Sequence, residues 1–312
     1  MPSEGAIQKA KNYRDKIPTV DHDSGKRLWI FAKKPFGKLY NLRTYVSWVY
    51  LALFFTAPFI KINGNPLLML NVVEGKFSIL GIMFWPQDFF IFGIGMLIFI
   101  VFIILFTLIF GRVFCGWVCP QTIFMEMVFR KIEYLIEGDS GKQKKLKRQK
   151  WDTEKIIKKG TKHIVFYLMS FLISNAFLTY ILGIDRMKEM ISAPADNLGV
   201  LIGLFTFAAV FYGVYAHIRE VVCTNICPYG RLQGVLMDKD SIIVAYDHVR
   251  GESRGKYRKD RDEKLGDCID CHQCVDVCPT GIDIRNGTQL ECVNCTACID
   301  ACNFMMEKVG YD

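Results

Sequence analysis

Twelve cysteines carry the chemistry legible in this 312-residue chain. Eight of them fall in two runs, Cys268-x2-Cys271-x2-Cys274-x3-Cys278-Pro279 and Cys292-x2-Cys295-x2-Cys298-x3-Cys302. Three thiolates at this spacing wrap one face of an iron–sulfur cubane in a tight loop, and the fourth reaches the neighbouring cubane. The pattern predicts one [4Fe–4S] cluster on Cys268, Cys271, Cys274 and Cys302, and a second on Cys292, Cys295, Cys298 and Cys278. Zinc ribbons also use C-x2-C pairs, but zinc takes four ligands per ion and has no use for a third evenly spaced cysteine. A disulfide framework needs an oxidising compartment, against which the charge pattern below argues. The second run ends Cys302-Asn303, without the proline that follows Cys278; this affects the local turn and leaves the ligands in place. His272, between two cysteines, reads as a loop residue.

The other four cysteines form a repeat. "GRVFCGWVCPQT" holds Cys115 and Cys119, and "IREVVCTNICPYG" holds Cys223 and Cys227. Both read Arg, two or three residues, Cys, three residues, Cys-Pro. On an intact helix this spacing puts two thiols on one face with Cβ atoms about 5–6 Å apart, whereas a disulfide wants roughly 3.5–4.5 Å. Two arrangements remain open. The helix ends at the first cysteine and the proline starts a new one, or the two pairs face each other and form a four-thiol site. Such a site suits a soft metal, Cu(I) or iron, or a dithiol relay. The bland reading is four packed thiols, and recurrence with an Arg shortly before the first Cys and a Pro right after the second argues against chance. We therefore take Cys115, Cys119, Cys223 and Cys227 as candidate catalytic and metal-binding residues.

These thiols must be held by something, and most of the chain is apolar. It is 51% hydrophobic, with a mean hydropathy of +0.21. A membrane span needs about 20 apolar residues. Residues 89–110, 164–184 and 198–216 meet this need, and the shorter 45–60, which contains Pro58, is a weaker fourth. Residues 1–44 carry ten Lys/Arg and 111–163 carry thirteen, against two each in 61–88 and 185–197. Under the positive-inside rule both termini, and with them the ferredoxin-type cysteines, face the cytoplasm. There thiols stay reduced. None of the apolar runs is a signal peptide, because the first lies too far from Met1.

The expected class is a membrane α-helical protein with four transmembrane helices in two pseudo-repeated pairs, plus a small α+β ferredoxin domain of the 2×[4Fe–4S] type. The expected boundaries are a basic cytoplasmic segment (1–44), a four-span membrane domain (45–230), a linker (231–264) and the ferredoxin-like domain (265–312). Within the membrane domain, apolar residues at three- and four-residue intervals predict an amphipathic helix near 121–137, lying on the membrane with Glu126, Arg130, Lys131 and Glu133 on its polar side. "YGRLQGVLMD" reads as helix and "SIIVAYD" (241–247) as a strand.

The net charge of +8 suits basic loops at an anionic leaflet and needs no nucleic acid. His163 and His217 sit at span ends, where a bis-histidine haem would want them and where headgroup contacts are commoner. Asn175 suits a helix–helix hydrogen bond, and Trp85 and Pro86 an interfacial belt. No P-loop, GxGxxG or nucleophile elbow appears, so no nucleotide or flavin site is read.

The block "GRVFCGWVCPQTIFMEMVFRKIEYLIEGD" (111–139), with "CPYGRLQ" (227–233), "VAYDHVRGESRG" (244–255) and the cysteine runs (267–302), closely resembles the CcoG/FixG/RdxA family of cytochrome c oxidase accessory proteins. The resemblance implies a multi-pass protein of the bacterial inner membrane that reduces Cu(II) to Cu(I) during maturation of a cbb3-type oxidase. It implies membrane lipid, copper ion, oxidase assembly factors or a copper transporter, an electron donor and a second copy of the chain as partners. Family members continue into a further span and an outer immunoglobulin-like domain, which this sequence, ending at Asp312, does not reach. Two other functions compete: a NapH-like electron-transfer subunit of a quinol dehydrogenase, and a copper chaperone without redox chemistry, for which two cubanes are hard to explain.

Overall fold

Long uncharged runs leave a helix as the way to satisfy every backbone amide in lipid. Among the described residues, three helices are long and apolar enough to cross a membrane: Phe90–Phe110, Thr153–Leu182 and Leu201–Ile218. They come from a computed structural model that describes residues 27–62, 64–71, 75–85, 89–192, 198–238, 240–257 and 265–311. The expected run 45–60 lies in the helix Lys38–Thr56 and the 3-10 turn Ala57–Phe59 that follows it. Its first turns carry Lys38, Asn41 and Arg43, and it is not one of the three. Pro86 lies outside the described residues.

The chain divides into two compact units whose borders differ from those drawn on the sequence. One unit takes the described residues of Tyr45–Phe106 and Trp151–Arg219. In it, residues 61–84, expected as an outward loop, form two antiparallel sheets: Lys61–Ile62 with Asn65–Pro66, and Leu68–Asn71, Lys76–Ile79 and Ile82–Phe84 in that order. Leu80 and Gly81 join the last two strands, both with positive φ (53° and 81°), as a two-residue turn matched to strand twist requires. Asn175 does not bridge helices as expected. Its Nδ2 donates to Phe171 O at 2.8 Å in its own helix, the local bond short polar side chains make when no partner helix offers better.

The other unit takes the described residues of Met1–Thr44, Thr107–Lys150 and Glu220–Asp312. It therefore holds all twelve cysteines. The helix expected to lie on the membrane is present as Pro120–Thr122, a π-helical stretch Ile123–Phe129 and Arg130–Ile136. It is not a surface helix. Ile123, Phe124, Met127 and Phe129 are buried on one side, and Glu126, Arg130 and Glu133 are buried too. The charges pair internally: Arg130 meets Glu126 at 2.7 Å and Glu220 at 3.9 Å, and Arg27 meets Glu220 at 3.0 Å. Buried carboxylates at these distances hold the Arg130 guanidinium charged more firmly than usual.

Helix Pro228–Leu236 forms as expected, but 241–247 is not a strand. Its backbone is occupied elsewhere: Ile242 N donates to Ile109 O (2.9 Å), Val244 N to Asn294 Oδ1 (3.4 Å), and Asn294 Nδ2 to Ile242 O (3.3 Å). The cysteine-rich end is helical, with Gln273–Asp276, a 3-10 turn Ile284–Asn286 and Ala297–Val309. Among the described residues from 265 onward there is no strand, so the β part of the expected α+β domain is not seen. Asp300, between Cys298 and Cys302, accepts from the amides of Leu39 (3.2 Å) and Tyr40 (2.7 Å). It thereby caps the helix Lys38–Thr56 from far along the chain.

Candidate iron–sulfur and thiol sites

The two cysteine runs fold alike because their in-between residues do. In the first, Asp270 and His272 flank Cys271 at φ 53° and 57°; in the second, Asn294 and Thr296 flank Cys295 at φ 52° and 63°. Left-handed residues in a tight loop curl successive amides into a concave, anion-accepting surface. Asp, Asn and His tolerate that conformation better than most residues. Each loop then runs into a helix, capped by His272 and by Thr296, whose first turn carries Cys274 and Cys298. The spacing predicted the loops; their alternating backbone handedness was not read, though Asp-Cys-His and Asn-Cys-Thr carry that signal.

Two cavities lie against these loops. The larger, about 320 Å³, is lined by Cys268, Cys271, Cys274 and Cys302, with Cys298 in a shared wall. The second is lined by Cys278, Cys292, Cys295 and Cys298, with Cys274 in the wall. Cys302 thus stands with the first run and Cys278 with the second. Charge tells the same story: Cys271 and Cys268 push the Cys302 thiol up, while Cys278 pushes up Cys292, Cys295 and Cys298. Burial is the larger cause throughout, lifting Cys274 and Cys292 to about 12. Buried, mutually repelling thiols suit a group that brings positive charge to them, which an iron–sulfur core does. Among the described residues no three Cys, His, Asp or Glu side chains converge on a point that a single ion could occupy. Thiols ringing a cavity fit a cubane better than a lone zinc. His272 is not turned to a metal: its Nδ1 lies 2.9 Å from Arg285 Nη2. Arg285 also holds Asp283 at 2.7 Å and Asp270.

The Cys-x3-Cys-Pro motifs share a local design. Cys115 lies in the short helix Val113–Trp117 and Cys223 in the π-helical turn Val222–Ile226. Cys119 and Cys227 each end the turn in an extended conformation, and the proline after each opens a new helix. Of the two arrangements left open, the break comes after the first cysteine and before the second. All four thiols are free. They also gather. Burial and then the charges of Cys119, Cys115 and Cys227 act on Cys223, whose thiol is pushed up to about 12. Burial lifts Cys115 to about 11, opposed by Arg112. Cys115 Sγ donates to Gln233 Oε1 at 2.8 Å, and Gln233 Nε2 donates to Thr107 Oγ1 at 3.2 Å. Gln233 belongs to the helix opened by Pro228, so it ties one motif to the other. It was not singled out from the sequence, where nothing marks it.

In the other unit, the His163 and His217 rings lie nearly parallel with centroids 6.4 Å apart, and His163 Nδ1 is 2.7 Å from the Tyr212 hydroxyl.

Two family models match the chain: a 4Fe–4S dicluster domain over residues 218–312 and a 4Fe–4S binding domain over 92–143. Protein RdxB of Cereibacter sphaeroides is 36% identical over 91% of this chain and 61% of its own length. The nitrogen fixation protein FixG of Rhizobium meliloti is 34% identical over 91% and 56%, and Protein RdxA of C. sphaeroides is 35% identical over 90% and 60%. The chain is similar to these FixG and Rdx proteins along most of its length. It spans about six-tenths of the length of these curated relatives. No solved structure matches it. Both matching models are 4Fe–4S domains, and three of the described helices are fit to cross a membrane.

Proposed function

We propose that this chain reduces Cu(II) to Cu(I) at the inner membrane of a bacterium, for maturation of a cbb3-type oxidase. The observation that carries the reading is the grouping of all twelve cysteines in one compact unit, with Gln233 of the helix that follows Cys227 bonded to Cys115. Cys268, Cys271, Cys274 and Cys302 would hold one [4Fe–4S] cluster, and Cys278, Cys292, Cys295 and Cys298 the other. When bound, the two clusters supply one-electron reservoirs whose potentials reach well below those of copper centres. The chain's own part is to bring copper to soft ligands. Thiolates prefer Cu(I) to Cu(II), so Cys115, Cys119, Cys223 and Cys227 favour the reduced ion as it forms. Each electron delivered converts one Cu(II) to one Cu(I). Buried Cys115 and half-buried Cys223 lose their protons as the metal arrives, since the thiolate is the ligand.

In this reading the helix Lys38–Thr56 is a fourth span, both ends face the cytoplasm, and the partners are anionic lipid, an electron donor, an oxidase assembly factor or copper transporter, and a second copy of the chain. A quinol-linked reading has one observation in its favour. The His163–Tyr212 pair beside His217 offers ring nitrogens and a phenol to a quinol's hydroxyls within apolar helices.

The test is anaerobic mixing of the cluster-reduced protein with Cu(II), following cluster bleaching and Cu(I) capture by a chromogenic chelator. Wild type should form Cu(I), and Cys115→Ala/Cys223→Ala, with both clusters intact, should not. Cu(I) formed equally by the variant moves the chemistry to the clusters, and none from wild type favours the quinol.

A further inference from the structure

The two ferredoxin-type loops sit differently in their unit. Cys302, on the first cavity, is exposed, whereas every other cysteine is at least half covered. The second loop is packed inward against the first Cys-x3-Cys-Pro motif, and Gly116 is the point of contact. A Cβ added to Gly116 would fall 2.5 Å from Val293 O and 2.9 Å from Asn294 O. Only a residue without a side chain lets the backbone beside Cys115 touch the backbone between Cys292 and Cys295.

Two buried guanidinium groups, each 2% exposed, border this contact. Arg43 Nε donates to Gly116 O at 2.7 Å, and its charge acts on Cys295. Arg112 donates to Leu290 O, and its charge acts on the Cys115 and Cys292 thiols. Its Nη2 also lies 2.8 Å from where a Cβ on Gly230 would sit, three residues beyond Cys227. One cation thus touches both membrane-end motifs and the second loop. A buried cation costs several kcal/mol to desolvate, and this one stands between two sets of thiols rather than beside a carboxylate.

We infer that the Cys292–Cys295 loop is where electrons leave the ferredoxin-type region, and that Gly116 with Arg112 and Arg43 forms the join by which they reach Cys115. The destination rests on the copper-reductase reading; the asymmetry between the two loops does not. Each transfer moves one electron, oxidises the donor loop's centre by one unit and reduces one Cu(II) to Cu(I), with no bond to carbon made or broken. Arg112 and Arg43 are positioning residues. Their fixed positive charge favours the more negative, reduced state of whatever the second loop holds.

The decisive measurement is an EPR-monitored redox titration of the full chain without copper. Arg112→Gln should lower the midpoint potential of one cluster, the one whose signal Cys292→Ser alters, and leave the other where it was. Arg112→Lys, which keeps the charge, should restore most of the shift. Equal shifts in both clusters, no shift, or a shift confined to the cluster altered by Cys268→Ser would overturn the assignment. Gly116→Ala should then slow Cu(II)-driven reoxidation about tenfold or more while iron content and both potentials stay unchanged; an unaltered rate removes the join. If wild type forms no Cu(I), the copper reading fails, and the titration still decides the exit.

Discussion

At the scale of single residues, the cysteines divide by what surrounds them. Cys302 lines the cavity of the first run although it is the last cysteine of the second. Cys302→Ala should therefore erase the same EPR signal as Cys268→Ala, and iron content should fall by one cluster. An effect limited to the signal lost in Cys292→Ala would break the crossed pairing. Burial lifts the Cys115 and Cys223 thiols to about 11 and about 12. In metal-free protein both should stay protonated through neutral pH. Their alkylation by iodoacetamide should keep rising above pH 9, the ordinary thiol range, toward pH 11, read by peptide mass spectrometry. A plateau near pH 9 would contradict this. The sign also fixes stability: folded thiols hold their protons more tightly than unfolded ones, so the metal-free fold weakens as pH climbs from the ordinary thiol range to these raised values. Spacing alone located all twelve thiols. It could not locate Gln233 or Arg43, nor the partners of Arg112, because a side chain's long-range contacts leave no local periodicity.

At the scale of elements, the helix from Pro120 to Ile136 shows where pattern reading stops. Its apolar residues recur at helical intervals, and the helix forms. Charged residues on the opposite side implied water, yet Glu126, Arg130 and Glu133 are buried, with Arg130 between Glu126 and Glu220. Composition cannot distinguish a solvated charged face from one closed by a partner 90 residues away. Arg130→Met removes the cation and leaves two buried carboxylates, which should cost about 3–5 kcal/mol. Urea unfolding in detergent, followed by cluster absorbance, should show the loss, and a midpoint equal to wild type would mean that the pairs contribute little. The missed strand at 241–247 has the same cause. Ile242 and Val244 alternate well enough for a strand, but Asn294 and Ile109 take the backbone groups a ladder would use.

At the scale of the whole chain, the border between units follows the thiols rather than hydropathy. Thr107–Lys150 and the chain from Glu220 belong together, although the apolar helices interrupt them in sequence. Sequence boundaries drawn at changes of composition could not reveal this, because segments distant in sequence contribute to one core. Anaerobic removal of the clusters with a chelator should raise amide hydrogen exchange across 107–150 and 220–311. It should leave Tyr45–Phe106 and Trp151–Arg219 as protected as before. Loosening of both sets alike would show that the units do not open separately.

The carboxylate of Asp300 gives this arrangement an order in time. Ribosomes make the amides of Leu39 and Tyr40 some 260 residues before the side chain that receives them. The first long helix therefore leaves the ribosome without its cap, and obtains it only when the segment between Cys298 and Cys302 has been synthesised and folded. Loading of those cysteines and anchoring of the chain's beginning thus become a single late event in biogenesis, and a nascent chain stalled before Asp300 carries that helix start uncapped.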